Sequence, residues 1–168
     1  MANYIGIPIL LLAAVINATV MPELRLGNGT ADLVFLLVIS WALLADVRDA
    51  MLWAVIGGML QDLLSIAPLG TSALGLVIVA FAADAVFGTV SRGNLLVPVL
   101  VTIVGTGVYQ MITLLLLRGL GLSAVSIGQG LVYVTLPATI MNVLLILPIY
   151  RLMGAVHRRA FPIRARIE

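Results

Sequence analysis

The feature that most constrains this chain is a series of six long apolar segments separated by short polar links. A helix needs about 20 apolar residues to cross the hydrocarbon core of a bilayer. The segments are continuous and do not alternate apolar with polar residues, so they predict helices rather than membrane strands. We expect a single all-α domain with six transmembrane helices and a basic tail at 154–168. The predicted spans are 5–21, 32–45, 50–66, 71–90, 95–117 and 131–153.

Composition supports a membrane protein. The chain is 62% hydrophobic and 10% charged, with a mean hydropathy of +1.23. A soluble domain of 168 residues could not hide that much apolar surface from water. The first segment lacks a basic flank and a small-residue cleavage site, so we expect it to be retained as a span.

The distribution of arginine predicts the orientation of the spans. Six spans place both termini on one side, together with Arg48, Arg92 and the five arginines that follow residue 150. The other side then holds only Arg25 and Arg118. Seven arginines against two predict that both termini are cytoplasmic.

Two carboxylates lie inside apolar segments, where an ionisable group is expensive and normally marks a function. Asp62 is in the third segment and Asp84 in the fourth. At 1.5 Å per residue the third span places Asp62 in its outer half, and the fourth places Asp84 in its inner half. The two depths argue against a pair of carboxylates that share a proton.

Each carboxylate also lies on a stripe of small residues, which favours close helix packing with polar groups bonded across the contact. One interpretation is purely structural, with Arg92 as the natural partner of Asp84. Asp62 has no evident cation nearby, and its expected partners are Gln61, Ser65, a neighbouring helix or another protein. It is therefore the stronger candidate for a functional group. The candidate packing or partner-binding residues are Gly58, Gln61, Asp62, Ser65, Asp84, Gly88 and Arg118.

The residue types present predict no enzyme chemistry. The chain has no cysteine, and no lysine occurs in the sequence, which excludes thiol and Schiff-base catalysis. His157 is the single histidine, and no metal-binding or nucleotide-binding motif is present. We expect no cofactor, no metal and no nucleic-acid partner. The basic tail could bind anionic lipid or a cytoplasmic partner, or only fix the topology; its candidate residues are Arg158, Arg159, Arg164 and Arg166.

Several local signals predict turns and helix ends. Asn28-Gly29 predicts a turn, and Thr30 or Asp32 could cap the second helix. Gly70 permits a turn after Pro68. The glycine-rich stretch 119–130 is either a loop at the membrane surface or a short helix lying there. Pro137 predicts a kink in the sixth helix, and Asn142 in the same helix is expected to be a buried polar group.

The motifs of the chain resemble those of the rod shape-determining protein MreD family over nearly its whole length. The resemblance is carried by an Asp and a leucine-rich span ending in Trp-Ala-Leu (32–43), then by Gly-Gly-Met-Leu-Gln-Asp-Leu-Leu-Ser (57–65), and by Pro-Leu-Gly (68–70). Ala31 departs from the pattern, since members often have Pro there. The resemblance implies a non-enzymatic part of the bacterial cell-elongation machinery in the inner membrane. The implied partners are the bitopic periplasmic scaffold MreC, the MreB filament and the RodA/penicillin-binding synthase pair.

The resemblance also implies a fold similar to the S components of energy-coupling-factor transporters. The alternative function is accordingly an S component or another small-solute carrier, and the small-residue pair Ala14 and Ala18 fits it. Against this alternative, the sequence shows few polar or aromatic side chains grouped to hold a hydrophilic ligand. On the preferred interpretation, Asp62 and its small-residue face shape an outward-facing cavity or helix contact where the scaffold protein docks.

Overall fold

The computed structural model describes residues 2–87, 94–122 and 126–160, and the regular elements in these ranges are helices. The all-α prediction is therefore confirmed. A 3₁₀ turn, Met21–Leu24, follows the first helix, and a π-helical segment, Leu131–Thr135, joins the last two. The α-helices are α1 (Ala2–Thr19), α2 (Leu33–Ala42), α3 (Val47–Leu63), α4 (Thr71–Phe87), α5 (Leu96–Gly119), α6 (Ile127–Gly130) and α7 (Leu136–Ala160).

Two stretches of the described chain are long and apolar enough to cross a membrane by length and composition. They are Leu96–Gly119 and Gly128–Arg159, each with a hydropathy of 2.0. The apolar stretches Gly6–Thr19, Leu33–Ala42 and Thr71–Phe87 are shorter. Each of the six predicted segments overlaps a helix, and the count of six membrane crossings stays a prediction.

Helix α2 lies at the centre of the bundle. Its residues from Val34 to Ala42 are all buried, and it contacts α1, α3, α4, α5 and α7. A helix that is apolar on every side is stable only when protein or lipid covers all of its faces. Here the covering is protein, so a helix of ten residues can be shorter than a bilayer is thick.

Glycine allows α3 and α4 to approach closely. A Cβ atom on Gly58 would collide with the backbone of Ala73 on α4. Small residues at a helix contact allow this approach, and Gly58 lies on the small-residue face of α3 that the sequence showed. The link between the two helices turns at Gly70, whose φ of +96° is costly for any residue with a side chain.

The first five residues of the sixth predicted span, Leu131–Thr135, form a π-helical segment. The backbone N–H of Leu136 bonds to the carbonyl of Leu131, five residues back. Pro137 comes one residue later, has no N–H to donate and cannot extend a regular ladder. Pro137 is the second residue of α7, in its first turn, and the kink predicted from it stays a prediction.

The first part of the predicted basic tail is helical. Helix α7 continues to Ala160, so 154–160 is helical and Arg158 and Arg159 are exposed on its last turn. Cations are favourable there because they face the negative end of the helix dipole. Gly88, Arg92, Arg164 and Arg166 lie outside the described residues, and so does the expected pairing of Asp84 with Arg92.

Candidate functional site

Polar side chains lie at the end of the bundle where α1, α3 and α5 end and α2, α4 and α7 begin. We call it the cavity end of the bundle, because a polar cavity opens there. Asp32 is the N-cap of α2, and its carboxylate Oδ1 accepts the backbone N–H of Phe35 at 2.9 Å. Of the two residues predicted as possible caps of this helix, Thr30 and Asp32, the cap is Asp32. Capping satisfies a backbone donor that has no partner within the helix.

The Asp32 carboxylate also joins α2 to two neighbouring helices. Asn17 Nδ2 on α1 donates to Oδ1 at 2.7 Å, and Gln61 Nε2 on α3 donates to Oδ2 at 2.8 Å. Asn17 in turn accepts the backbone N–H of Leu33 at 2.9 Å. These donors are neutral amides, so within the described part of the chain hydrogen bonds rather than an ion pair hold the Asp32 carboxyl group.

A second branch of the network reaches α5 and α7. Asn142 Oδ1 accepts the backbone N–H of Asp32 at 2.8 Å, and its Nδ2 donates to Thr106 Oγ1 at 3.1 Å. Asn142 is 2% exposed, so the prediction of a buried polar group is confirmed. The two branches tie four helices to the start of α2 through side chains far apart in the sequence.

Asp62 accepts hydrogen bonds from the backbone at the start of the next helix, α4. Its Oδ2 accepts the backbone N–H of Gly70 at 2.8 Å, and both oxygens accept the N–H of Ser72, at 3.0 and 3.1 Å. The carboxylate therefore satisfies donors at the start of α4, where the positive end of the helix dipole also favours a negative charge. Asp62 is 2% exposed and lies one residue before the end of α3, at Leu63.

The loop that Asp62 holds carries exposed apolar side chains. Ser65 Oγ accepts the N–H of Ala67 at 3.0 Å, which fixes the loop from within. Ile66 is fully exposed, and Leu63, Leu64 and Leu69 are exposed as well. We call residues 63–69 the apolar loop. Large exposed apolar side chains of this kind are covered by lipid or by another protein.

A polar cavity of about 250 Å³ opens beside the Asp32 network. Tyr109 on α5 is 5% exposed and packs on Phe35 with ring centroids 5.6 Å apart. Its hydroxyl lies beside the side chains of Ser72 and Thr113. The lining residues are Asn17, Thr30, Ala31, Asp32, Gln61, Ser65, Ala67, Ser72, Tyr109, Gln110 and Thr113.

The predicted site residues do not form one cluster. Gln61 and Ser65 line the cavity, whereas Gly58 is used in packing against α4 and Asp62 in holding the loop. Arg118 is in the last turn of α5, at the cavity end. Asp84 is half-buried near the end of α4, at the opposite end of the bundle with Arg158 and Arg159. Along α4, Asp84 is about 20 Å from Thr71 by helical rise.

Sequence reasoning did not find the polar cavity. Few polar side chains were expected to group around a ligand, yet four helices and the two links before α2 and α4 contribute to the lining. A signal was available, because Asn17, Asp32 and Gln61 each lie near a helix end on the same predicted side. The residues that complete the wall, Tyr109 and Gln110, carry no such signal because they lie inside an apolar segment.

These features define an all-helical membrane protein with a buried hydrogen-bond network and a polar cavity at one end of the bundle. No group of three or more His, Cys, Asp or Glu side chains that could hold a metal ion occurs in the described ranges. The chain belongs to the family described as rod shape-determining protein MreD, whose model matches residues 2–159. This family is structural and determines cell shape. Comparisons with curated proteins and with solved structures gave no match.

Proposed function

We propose that this chain is a non-enzymatic assembly component of the machinery that elongates rod-shaped bacteria by peptidoglycan synthesis. It resides in the inner membrane and binds a bitopic, MreC-like scaffold protein. Through that complex it associates with the MreB filament and with the RodA/penicillin-binding synthase pair. Membership of the MreD family supports the role in cell shape, and the partners are those that the resemblance implies.

The observation that carries the proposal is that hydrogen bonds from the backbone to Asp62 fix the apolar loop. The carboxylate binds the Gly70 and Ser72 amides, so both ends of the loop are fixed while Ile66 and Leu69 remain exposed. A loop that is already ordered loses less conformational entropy when it binds. We propose that the scaffold protein covers these two side chains.

The part of Gly58 and Asp62 in this contact is indirect. Gly58 faces Ala73 and Asp62 faces backbone amides of the same chain, so neither is left over for a partner. Gly58 sets the distance between α3 and α4, and Asp62 sets the position of the loop. Ser65 contributes by its bond to Ala67. Arg118 lies at the same end of the bundle and could contact the partner at the rim.

The opposite end of the bundle is assigned to the cytoplasm in this proposal. Arg158 and Arg159 are exposed there, with Arg164 and Arg166 further along the sequence. Basic residues near the cytoplasmic leaflet attract anionic lipids with about 1 kcal/mol each. They anchor this end, and a cytoplasmic partner that carries acidic groups could replace the lipid.

Co-purification with the scaffold protein tests the proposal. Both proteins are expressed together, extracted from native membranes and captured through a tag on this chain. The double variant Ile66→Ala/Leu69→Ala is compared with Leu100→Ala/Leu144→Ala, whose side chains are also exposed but lie on α5 and α7. The minority of residues that dominate an interface lie near its centre, and truncating each of them costs more than about 1 kcal/mol.

We expect the loop variant to lose at least tenfold of the captured scaffold protein and the control variant to lose little. Cells that depend on the loop variant should also lose their rod shape. Equal capture with all three proteins, together with normal rods, would count against the apolar loop as the docking surface. Asp62→Ala should follow the loop variant, because it releases the same loop.

A further inference from the structure

An open apolar groove runs along the outer surface of the bundle between α3 and α4, and it begins at the end opposite the polar cavity. Its lining on α3 extends from Val47 to Ile56, and Phe81 on α4 forms the other wall. The groove has a volume of about 540 Å³, within the roughly 300–1,000 Å³ of ordinary ligand sites. Leu52 and Phe81 are 47% and 59% exposed, so the described chain leaves much of this apolar wall uncovered.

The length of the groove matches one leaflet of a bilayer. Val47 and Ile56 are nine positions apart, which is about 14 Å of helix at 1.5 Å per residue. The hydrocarbon core of a bilayer is about 30 Å thick, so one leaflet contributes about 15 Å. An acyl chain of the leaflet at this end therefore has the length to fill the groove from its mouth to the bilayer centre.

A cation stands at the mouth of the groove. Arg48 is the charged residue among the described lining residues, and it lies in the first turn of α3. Its side chain is exposed, and within the described part of the protein no hydrogen bond or ion pair engages the guanidinium group. A guanidinium presents a planar fork of donors that matches a phosphate group. A phospholipid whose acyl chain fills the groove has its phosphate at this level.

Carboxylates next to Arg48 decide which headgroup fits. Asp49 is half-buried in the first turn of α3, and Asp46 is exposed at the N-cap of this helix. Asp49 is seven residues before Ile56, or about two helical turns, so it lies along the edge of the groove that Ile56 forms. One arginine between two carboxylates gives the mouth no net positive charge. This balance disfavours a purely anionic headgroup and favours one that carries both signs.

We propose that this groove binds one molecule of phosphatidylethanolamine from the leaflet at this end, which arginine counting assigns to the cytoplasmic side. The phosphate accepts N–H bonds from the Arg48 guanidinium, and the ammonium group donates to the Asp49 carboxylate. One acyl chain lies along α3 and against Phe81, where it covers the exposed apolar wall. The inference does not depend on the proposed scaffold contact, because the apolar loop is at the cavity end of the bundle.

Native mass spectrometry of the full-length protein tests the proposal. The protein is purified in mild detergent, stripped of lipid by extended washing, and titrated with phosphatidylethanolamine, phosphatidylglycerol or phosphatidylcholine of the same acyl chains. Phosphatidylglycerol lacks the ammonium group, and the cation of phosphatidylcholine has no N–H to donate. We expect one phosphatidylethanolamine per chain, with an apparent affinity at least tenfold higher than that of either other lipid.

Two variants test the headgroup contacts. Arg48→Gln removes the guanidinium charge and should lower the affinity for phosphatidylethanolamine at least tenfold. Asp49→Asn removes the carboxylate, so the preference for phosphatidylethanolamine over phosphatidylglycerol should disappear while phosphatidylglycerol still binds. The matched control is Arg158→Gln, which removes an exposed cation at the same end of the bundle but on α7, away from the groove. It should bind phosphatidylethanolamine as the wild type does.

Leu52→Trp tests the contact with the acyl chain. The Leu52 side chain is exposed in the groove, so a larger ring fills the groove without entering the core. The control is Leu144→Trp, because Leu144 is exposed on α7 and does not line the groove. We expect at least a tenfold loss of affinity for Leu52→Trp and none for Leu144→Trp. Thermal unfolding without lipid should be unchanged in both variants, which separates loss of the groove from loss of the fold.

Three outcomes would overturn the proposal. The first is an equal affinity for the three lipids, or an unchanged affinity in Arg48→Gln. The second is tighter binding of phosphatidylglycerol than of phosphatidylethanolamine, which would assign the mouth to a general attraction of anionic lipids. The third is a loss of captured scaffold protein, rather than of lipid, in Leu52→Trp, which would assign the groove to a helix of a partner protein.

Discussion

The Asp62 carboxylate accepts the backbone N–H of Ser72 with both of its oxygens, at 3.0 and 3.1 Å. The preceding residue, Gln61, sends its side chain to Asp32 instead. Neighbouring residues on a helix point about 100° apart, because a turn takes 3.6 residues. Two adjacent polar residues at the end of α3 therefore organise two different helix starts, Asp32 at the start of α2 and Ser72 at the start of α4.

Replacing Asp62 should destabilise the start of α4. Asp62→Ala leaves the Gly70 and Ser72 amides without their acceptor, and each buried unsatisfied group costs about 1–3 kcal/mol. Asp62→Asn keeps one acceptor oxygen and should cost less. The measurement is the free energy of unfolding in mixed detergent micelles.

The control for Asp62 is Asp46→Ala. Asp46 is the N-cap of α3, is exposed and makes no side-chain cap hydrogen bond. Surface changes of this kind usually stay within about 0.5 kcal/mol. If Asp62→Ala and Asp46→Ala lowered the free energy of unfolding equally, the hydrogen bonds of Asp62 to the start of α4 would not contribute to stability.

Adding a methyl group to Gly58 should separate α3 from α4. The new Cβ meets the Ala73 backbone, which cannot rotate away as a flexible side chain can. Overpacking of this kind costs about 1–3 kcal/mol. Gly107→Ala on α5 is the matched control, because its Cβ meets nothing within 4 Å. That variant should be neutral or stabilising by up to about 1 kcal/mol, and a similar loss in both would argue against the close approach at Gly58.

Removing the amide of Asn142 should weaken the connection between α7 and α2. Asn142→Leu leaves the Asp32 N–H and the Thr106 hydroxyl without partners, at about 1–3 kcal/mol for a buried donor. Thr102→Val on α5 serves as the control, since Thr102 is buried and its hydroxyl oxygen has no partner to lose. Unfolding in denaturing detergent should reveal a loss for Asn142→Leu and none for Thr102→Val.

The sequence was sufficient to predict the helical class, the cap at Asp32, the turn at Gly70 and the buried state of Asn142, because each depends on local chemistry. It did not predict that Gln61 and Asn142 meet the same residue, since those contacts join positions 29 and 110 residues apart from Asp32. Helix periodicity shows which residues share a face and not which helix that face meets. Asp62 was recognised as unusual, but its backbone partners are eight and ten residues further along a loop whose path the sequence left open.

The orientation of the chain can be tested with single cysteines, because the natural sequence has none. Ile66 is fully exposed on the apolar loop, and Arg158 is exposed on the last turn of α7. Arginine counting places the first outside the cell membrane and the second inside. A membrane-impermeant maleimide should therefore label Ile66→Cys in spheroplasts, and label Arg158→Cys only after permeabilisation. Labelling of Arg158→Cys in intact spheroplasts would refute a cytoplasmic C-terminus. Six spans place an odd number of membrane crossings between these two positions. Labelling of both variants from outside would exclude an odd number.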